Sequence, residues 1–329
     1  MSINTSVLVT GGAGYIGSHM SFALTDKGER VVVLDDLSTG VRAQVSTGAT
    51  FIEGKVGDAA LVRRIIRDYQ VESVIHFAGS IVVPESVAEP LRYYANNTLA
   101  SHALIETCVQ EGVRHFIFSS TAAVYSADAA QPLSETAPKL PISPYARSKL
   151  MTEWMLEDTA RASEFKYIAL RYFNVAGADP KGRTGQSTPR ATHLIKRAAQ
   201  AALGRIPYLE ILGTDYPTRD GTGVRDYIHV SDLIDAHVLA LEALRAGGDS
   251  DCFNCGYGRG TSVREVVGEM ERITGRPLPV REGPRRPGDP PMLVADSTKL
   301  QNRLGWRPRH DDLADIVRSA LAWERRFNT

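Results

Sequence analysis

Three cysteines in 329 residues cannot build a disulfide framework, and an excess of charge of one sign is also missing, since 38 Lys+Arg offset 38 Asp+Glu. The first shortage makes a reducing cytoplasm the expected compartment. The second excludes a general basic face for nucleic acid or anionic lipid, although a local cationic patch can still hold one phosphate ligand. No apolar run approaches the ~20 residues that span a bilayer, and Met1-Ser2-Ile3-Asn4 leads into an apolar run without a basic leader. Cys252 and Cys255 have the spacing of a metal or redox pair, but no second ligand pair accompanies them. They read as part of a short buried strand, and no metal is expected.

What the chain does have is alternation. Val7-Leu8-Val9, Val31-Val32-Val33-Leu34, Val74-Ile75-His76-Phe77 and Phe116-Ile117-Phe118 are short and β-rich, and helical spacing fills the gaps, as in Ala60 to Ile66. This order predicts an α/β fold with a doubly wound parallel sheet covered on both faces. The alternation fades after Tyr172. The chain therefore divides into a domain at 1–172, with a segment near 226–255 returning to it, and a second, smaller α/β domain at 173–329. Ser262 and Glu265 have the form of a capping box opening a helix in that second part.

Val7-Leu8-Val9-Thr10 runs into Gly11-Gly12-Ala13-Gly14-Tyr15-Ile16-Gly17. Gly11 permits a sharp turn out of the strand, Gly14 lets backbone approach a pyrophosphate, and Gly17 lets the helix pack on the sheet. The helix start beyond, at Tyr15 and Ile16, offers N–H groups and a positive dipole to phosphate. Asp35 closes the next strand at the distance where a carboxylate accepts the ribose hydroxyls and repels a 2′-phosphate. The expected cofactor is NAD rather than NADP.

Tyr145 and Lys149 stand four apart on a predicted helix and share a face. A tyrosine is a poor base at neutral pH, and a neighbouring ammonium favours its phenolate. Thr121 ends the strand Phe116–Thr121 and brings a hydroxyl to the carboxyl edge of the sheet, where ligands of open α/β sheets bind. Thr121, Tyr145 and Lys149 make a coherent oxidoreductase site.

These motifs resemble the extended short-chain dehydrogenase/reductase family with its Rossmann-type domain. The resemblance narrows to the branch that epimerises nucleotide sugars at C4 through His76-Phe77-Ala78-Gly79, Ser143-Pro144-Tyr145, Leu170–Asn174 and Asp220–Val230, and it covers essentially the whole chain. It implies an isomerase, interconverting UDP-glucose and UDP-galactose through a transient 4-keto sugar with tightly held NAD. By the same resemblance, Val56, Phe77, Ala78, Gly79, Asn97 and Tyr172 join the glycine loop, Asp35, Tyr145 and Lys149 around the cofactor. Asn174, Arg225 and Arg286 fall on the diphosphate, Asp289 on the uridine ribose, and His193, Leu194 and Leu212 on the nucleotide. Leu293 falls where the family sets the size of the sugar pocket. It implies a homodimer as well. Two positions depart from the family pattern: Lys55 replaces an aspartate that touches adenine, and Ile81 replaces a lysine near the cofactor.

Other readings weighed on the same motifs are a UDP-N-acetylglucosamine 4-epimerase, a nucleotide-sugar dehydratase or decarboxylase, and a non-catalytic NAD-binding sensor. A dehydratase needs an acid–base pair directly after the strand-end threonine, where this chain has Ala122 and Ala123. A sensor has no use for the Tyr145/Lys149 pair.

Overall fold

The computed structural model describes residues 5–188, 191–286 and 289–326. The first part runs β1 (Ser6–Thr10), α1 (Tyr15–Asp26), β2 (Arg30–Asp35), β3 (Thr50–Glu53), α2 (Ala59–Tyr69) and β4 (Val71–His76). Next come α3 (Val83–Ala88) and α4 (Pro90–Tyr93), and a π-helical segment, Tyr94–Leu99, carries the chain into α5 (Ala100–Gln110). β5 (His115–Thr121), α6 (Pro144–Ala162) and β6 (Lys166–Tyr172) follow. The remainder is β7 (Asn174–Ala176), α7 (Leu194–Ala202), β8 (Leu209–Leu212), β9 (Val224–His229), α8 (Val230–Arg245), β10 (Asp251–Cys255), β11 (Gly260–Ser262), α9 (Val263–Thr274), β12 (Val280–Gly283), β13 (Met292–Leu293), α10 (Thr298–Leu304) and α11 (Leu313–Arg326).

Seven strands form one sheet in the order β10-β6-β5-β4-β1-β2-β3, and every neighbouring pair is parallel. Alternate strand residues enter two separate cores. Val7, Val9, Ile75, Ile117 and Leu170 pack with α1 and α8, whereas Leu8, Val74, Phe116 and Phe118 pack with α2, α5 and α6. A sheet buried on both faces needs apolar side chains in both directions, which is why its strands read as continuous runs. Each fully buried side chain contributes about 1.5–3 kcal/mol. The chain winds from β1 outward to β3 and then returns to β4 on the other side of β1, so a crevice opens at the carboxyl ends of β1 and β4.

β9 sits between β11 and β13 in a small second sheet and also pairs with β7, while β8 and β12 form a two-stranded sheet. A third core lies under α7, α9 and α11. The capping box at α9 forms as expected, with Ser262 accepting from Glu265 N and the Glu265 side chain accepting from Ser262 N. Cys252 and Cys255 lie in β10 and Cys108 in α5, and all three are unpaired. Among the described residues no group of His, Cys, Asp or Glu is placed to hold a metal.

Candidate active site

The glycine turn fits its phosphate role on steric grounds. Gly11 has φ +68°, and a Cβ there would lie 2.6 Å from Ala78 N, so the turn presses against the loop after β4. A Cβ on Gly17 would lie 2.2 Å from Gly11 O, so only glycine lets α1 approach the turn this closely. Gly14 caps α1 with no side-chain hydrogen bond, and the first turn holds no acid. The helix start is therefore electropositive and matched to a pyrophosphate. Asp35, 8% exposed, accepts from Ala13 N and Leu37 N at 2.9 Å each. Burial raises its pKa and these two donors oppose that rise. Each carboxylate oxygen keeps acceptor capacity for a ribose hydroxyl. Val56 is buried on the loop after β3, and Lys55 beside it is exposed. Asp58, three residues beyond Lys55, caps α2 through Leu61 N.

α6 begins where Ser143 accepts from Ala146 N at 3.2 Å and Pro144 pre-sets the first turn. Its buried face presents Tyr145 and Lys149 one turn apart, 9% and 4% exposed. Burial raises the Tyr145 pKa, and the nearby Thr121 hydroxyl opposes that rise. Lys149, one turn further on, is directed toward β5. Its Nζ donates to Ser119 O at 3.0 Å and sits 5.0 Å from the centre of the Phe118 ring. Burial lowers the Lys149 pKa to about 8. With Ser119 O its only acceptor among the described residues, the ammonium keeps donors for a diol such as a ribose.

Phe77, Ala78 and Gly79 leave β4 with Phe77 N bonded to Thr10 O, and a Cβ on Gly79 would lie 3.6 Å from Lys149 Nζ. Asn97, in the π-helical segment, fixes this loop. Its Oδ1 accepts from Ser80 N, and its Nδ2 donates to Ser80 O and to Ser148 Oγ beside Lys149. The Asn97 side chain is thus a brace between loop and catalytic helix. Ile81 is 48% exposed and carries no charge to the site. Tyr172 lies behind, its hydroxyl bonded to Ser119 Oγ.

Tyr15 joins the two halves of the site. Its hydroxyl donates to Gly177 O at 2.6 Å, and its ring borders a cleft shared with Asn174, Gln186, His193, Leu194 and Tyr227. His193 caps α7 and accompanies Gln186 at 3.3 Å, and burial holds its pKa near 4, so it is neutral. Ile16 is part-buried in the first turn of α1. Arg225 on β9 lies 3.5 Å from Asp289, and Asp289 N donates to Arg286 O. Leu293 on β13 pairs with Arg225 and packs beside Ala122 and Phe173, next to the ends of β5 and β6. Leu212 ends β8, and Gly213 after it bonds across to Gly283. The residues expected around the cofactor thus gather along the carboxyl edge of the large sheet, and those expected around the nucleotide sugar lie on β7, α7, β8, β9, β13 and the loop before β13.

Sequence reasoning missed two neighbours. Tyr216 has a buried hydroxyl with no partner among the described residues, near Asp289 and Arg225. Gln186 shares the cleft with His193. Neither lies in a motif, and only the packing of loops reveals them.

A parallel sheet with a glycine turn at its switch point and a Tyr–Lys helix at its edge defines a dinucleotide-dependent site. Residues 7–256 match the NAD dependent epimerase/dehydratase family. UDP-glucose 4-epimerase of Azospirillum brasilense is 59% identical over 97% of this chain and 92% of its own length. The crystal structure of UDP-glucose 4-epimerase from Brucella ovis in complex with NAD superposes with TM-score 0.94 at 45% identity, covering 97% of this chain and 98% of that one. The enzyme from Bifidobacterium longum in complex with NAD+ and UDP gives 0.93 at 36% identity, with 98% of both chains covered. The chain belongs to the NAD dependent epimerase/dehydratase family, among its UDP-glucose 4-epimerases.

Proposed function

We propose a division of labour for an NAD-dependent isomerase that interconverts UDP-glucose and UDP-galactose through a 4-keto sugar. The observation that carries it is Tyr145, buried on α6 against the turn that follows Thr121 at the end of β5, and one helical turn from buried Lys149. The chemistry that NAD supplies when bound is acceptance and return of one hydride. Tyr145 takes the proton of the sugar 4-hydroxyl and gives it back, and Thr121 favours the phenolate that does so. Lys149 holds the nicotinamide ribose and Asp35 the adenosine ribose. Asn174, Arg225 and Arg286 hold the diphosphate, and the planar forks of the two arginines suit phosphate oxygens. Asp289 takes the uridine ribose, while His193, Leu194 and Leu212 pack on the nucleotide. Anchored at its UDP end, the keto sugar can turn over and be reduced on its other face.

In this reading, 1–172 with the segment near 226–255 form the cofactor domain, and 173–329 the UDP-sugar domain. Methyl groups at Ala122 and Ala123, in the turn after Thr121, cannot move protons and so speak against elimination. A homodimer is supported by apolar side chains left in the open on the helices between β4 and β5 and on α6. Leu91 is 80% exposed, Leu99 65% and Trp154 52%. Unpaired cysteines suit a cytoplasmic location. Among the described residues no helix is long and apolar enough to cross a membrane.

The test is to incubate the purified protein with UDP-galactose without added cofactor, then denature it and identify the released nucleotide. UDP-glucose should form without net NADH, and NAD should be recovered. Release of mainly NADP would remove the role given to Asp35, and net NADH would make the enzyme a dehydrogenase.

A further inference from the structure

The buried face of α6 continues one turn past Lys149 to Glu153, a residue no motif claims. Its side chain is 8% exposed and faces Arg171, 5% exposed, on β6. Arg171 Nη2 donates to Glu153 Oε2 at 2.6 Å and Nε to Oε1 at 2.9 Å, a two-pronged pair. Ser120 Oγ donates to the same Oε1. Ser120 and Arg171 are direct partners on adjacent strands, and the next pair in register is Thr121 with Tyr172. Arg171 also donates to the Tyr125 hydroxyl at 2.9 Å, which donates to Asn254 Oδ1 on β10 at 2.6 Å. One carboxylate on the catalytic helix is therefore tied to the residues immediately before Thr121 and Tyr172. Removing two charges from water is costly, and an apolar pair could fill the space at less cost. What an apolar pair lacks is direction: a two-pronged pair fixes angle as well as distance.

We infer that Glu153, with Arg171 and Ser120, is a positioning residue that sets α6 against the ends of β5 and β6 so that Thr121 meets Tyr145. The inference rests on Tyr145 acting as base. Around Tyr145 lie Thr121 on β5, Tyr172 on β6 and Tyr93 on α4, with Lys149 one turn further along its own helix and directed to Ser119 O. Tyr167 and Cys252 lie near Glu153 on its far side.

The test compares holoenzymes of wild type, Glu153→Gln, Ser120→Ala, Thr121→Val, Tyr145→Phe and the Glu153→Gln/Thr121→Val double variant, as kcat and KM against pH. Glu153→Gln should keep its NAD and a KM within about two-fold of wild type, since substrate binding is not at stake. Its kcat should fall on the order of 10- to 10²-fold, the scale of a sub-ångström to 1 Å misplacement. The acidic limb of kcat should move to higher pH, because Thr121 no longer favours the phenolate. Ser120→Ala, which leaves the ion pair whole, should move the limb the same way by less. In the Thr121→Val background, Glu153→Gln should move it no further. An unmoved limb in both single variants overturns the inference, as does full additivity in the double variant. Should Glu153→Gln fail to fold, the limb in Ser120→Ala decides by the same criterion. Wild-type turnover in Tyr145→Phe would overturn the base assignment and this inference together, whereas an unmoved limb beside an inactive Tyr145→Phe overturns the inference alone.

Discussion

Leu293 carries two duties on one side chain. Its backbone pairs with Arg225, and its side chain packs against the small core that holds Ala122 and Phe173, just past the ends of β5 and β6. In the proposed sugar pocket the intermediate volume of leucine should make exclusion of a 2-acetamido group partial. Hydrophobic contacts of this kind discriminate by about 1–3 kcal/mol, or roughly 10–200-fold. UDP-N-acetylglucosamine should be a weak but measurable substrate. Leu293→Ser should narrow the gap to UDP-glucose and Leu293→Tyr should widen it, read as the ratio of kcat/KM for the two sugars. An unchanged ratio in both variants would place the gate elsewhere. At this scale the candidate residues were legible because their types are restrictive: Thr121, Tyr145 and Lys149 stand out in the sequence, and the structure sets all three, buried, at one end of β5 and the start of α6. The direction of Lys149 was not legible. Spacing places it on Tyr145's face, but only the packing of α6 on β5 shows its ammonium turned to Ser119 O.

Among the elements, α1 is the most constrained. Any side chain at Gly17 collides with the carbonyl of Gly11, which is backbone and cannot swing aside. Gly17→Ala should therefore displace the helix start from the turn and release the dinucleotide, with the loss seen as absence of bound NAD after purification. Retention of stoichiometric NAD in a folded variant would show that the turn can yield. The large sheet was readable because all its strands but β3 have five to seven residues. The smaller sheets were not, since apart from β9 their strands are short: β13 has two residues, β7 and β11 three each, and β8 and β12 four each. Two- to four-residue strands hold too few alternations to display a period, and their pairing depends on contacts distant in sequence. The π-helical segment was hidden for a related reason. Nothing in Tyr94–Leu99 breaks a helical pattern, yet the wider turn is what offers Asn97 to the loop after β4.

For the molecule as a whole, histidine burial contributes to the response to acid, beside ion-paired carboxylates such as Asp26 and Asp179. Of the 8 histidines, His19, His76, His193, His229 and His237 have pKa values lowered to about 3–4, with burial the largest cause in each. The folded state refuses protons that the unfolded chain accepts below its ordinary value near ~6.5. Stability is thus complete above that value and falls as pH drops through 6 toward 4, by about 1.4 kcal/mol per histidine per pH unit once the unfolded form is protonated. Denaturant midpoints of the holoenzyme between pH 7 and 5 should fall steeply. His237→Gln should lessen the slope by about one proton, because Nε2 of His237 has no partner to lose among the described residues. A slope unchanged by this substitution would mean that other groups control acid unfolding. The path of the chain between its sheets also bears on inheritance. After β7 and β9 in the second sheet, α8 and β10 return to the large sheet, and only then does β11 pair with β9 again. The strands of the second sheet thus lie on two stretches of chain around one built into the large sheet. Under the proposed division of labour, recombination that trades substrate specificity between relatives must replace both stretches and spare the one between them. A single crossover after β6 would import a foreign α8 and β10 against a resident sheet, leaving the β6 edge to a strand it was not selected to pair with.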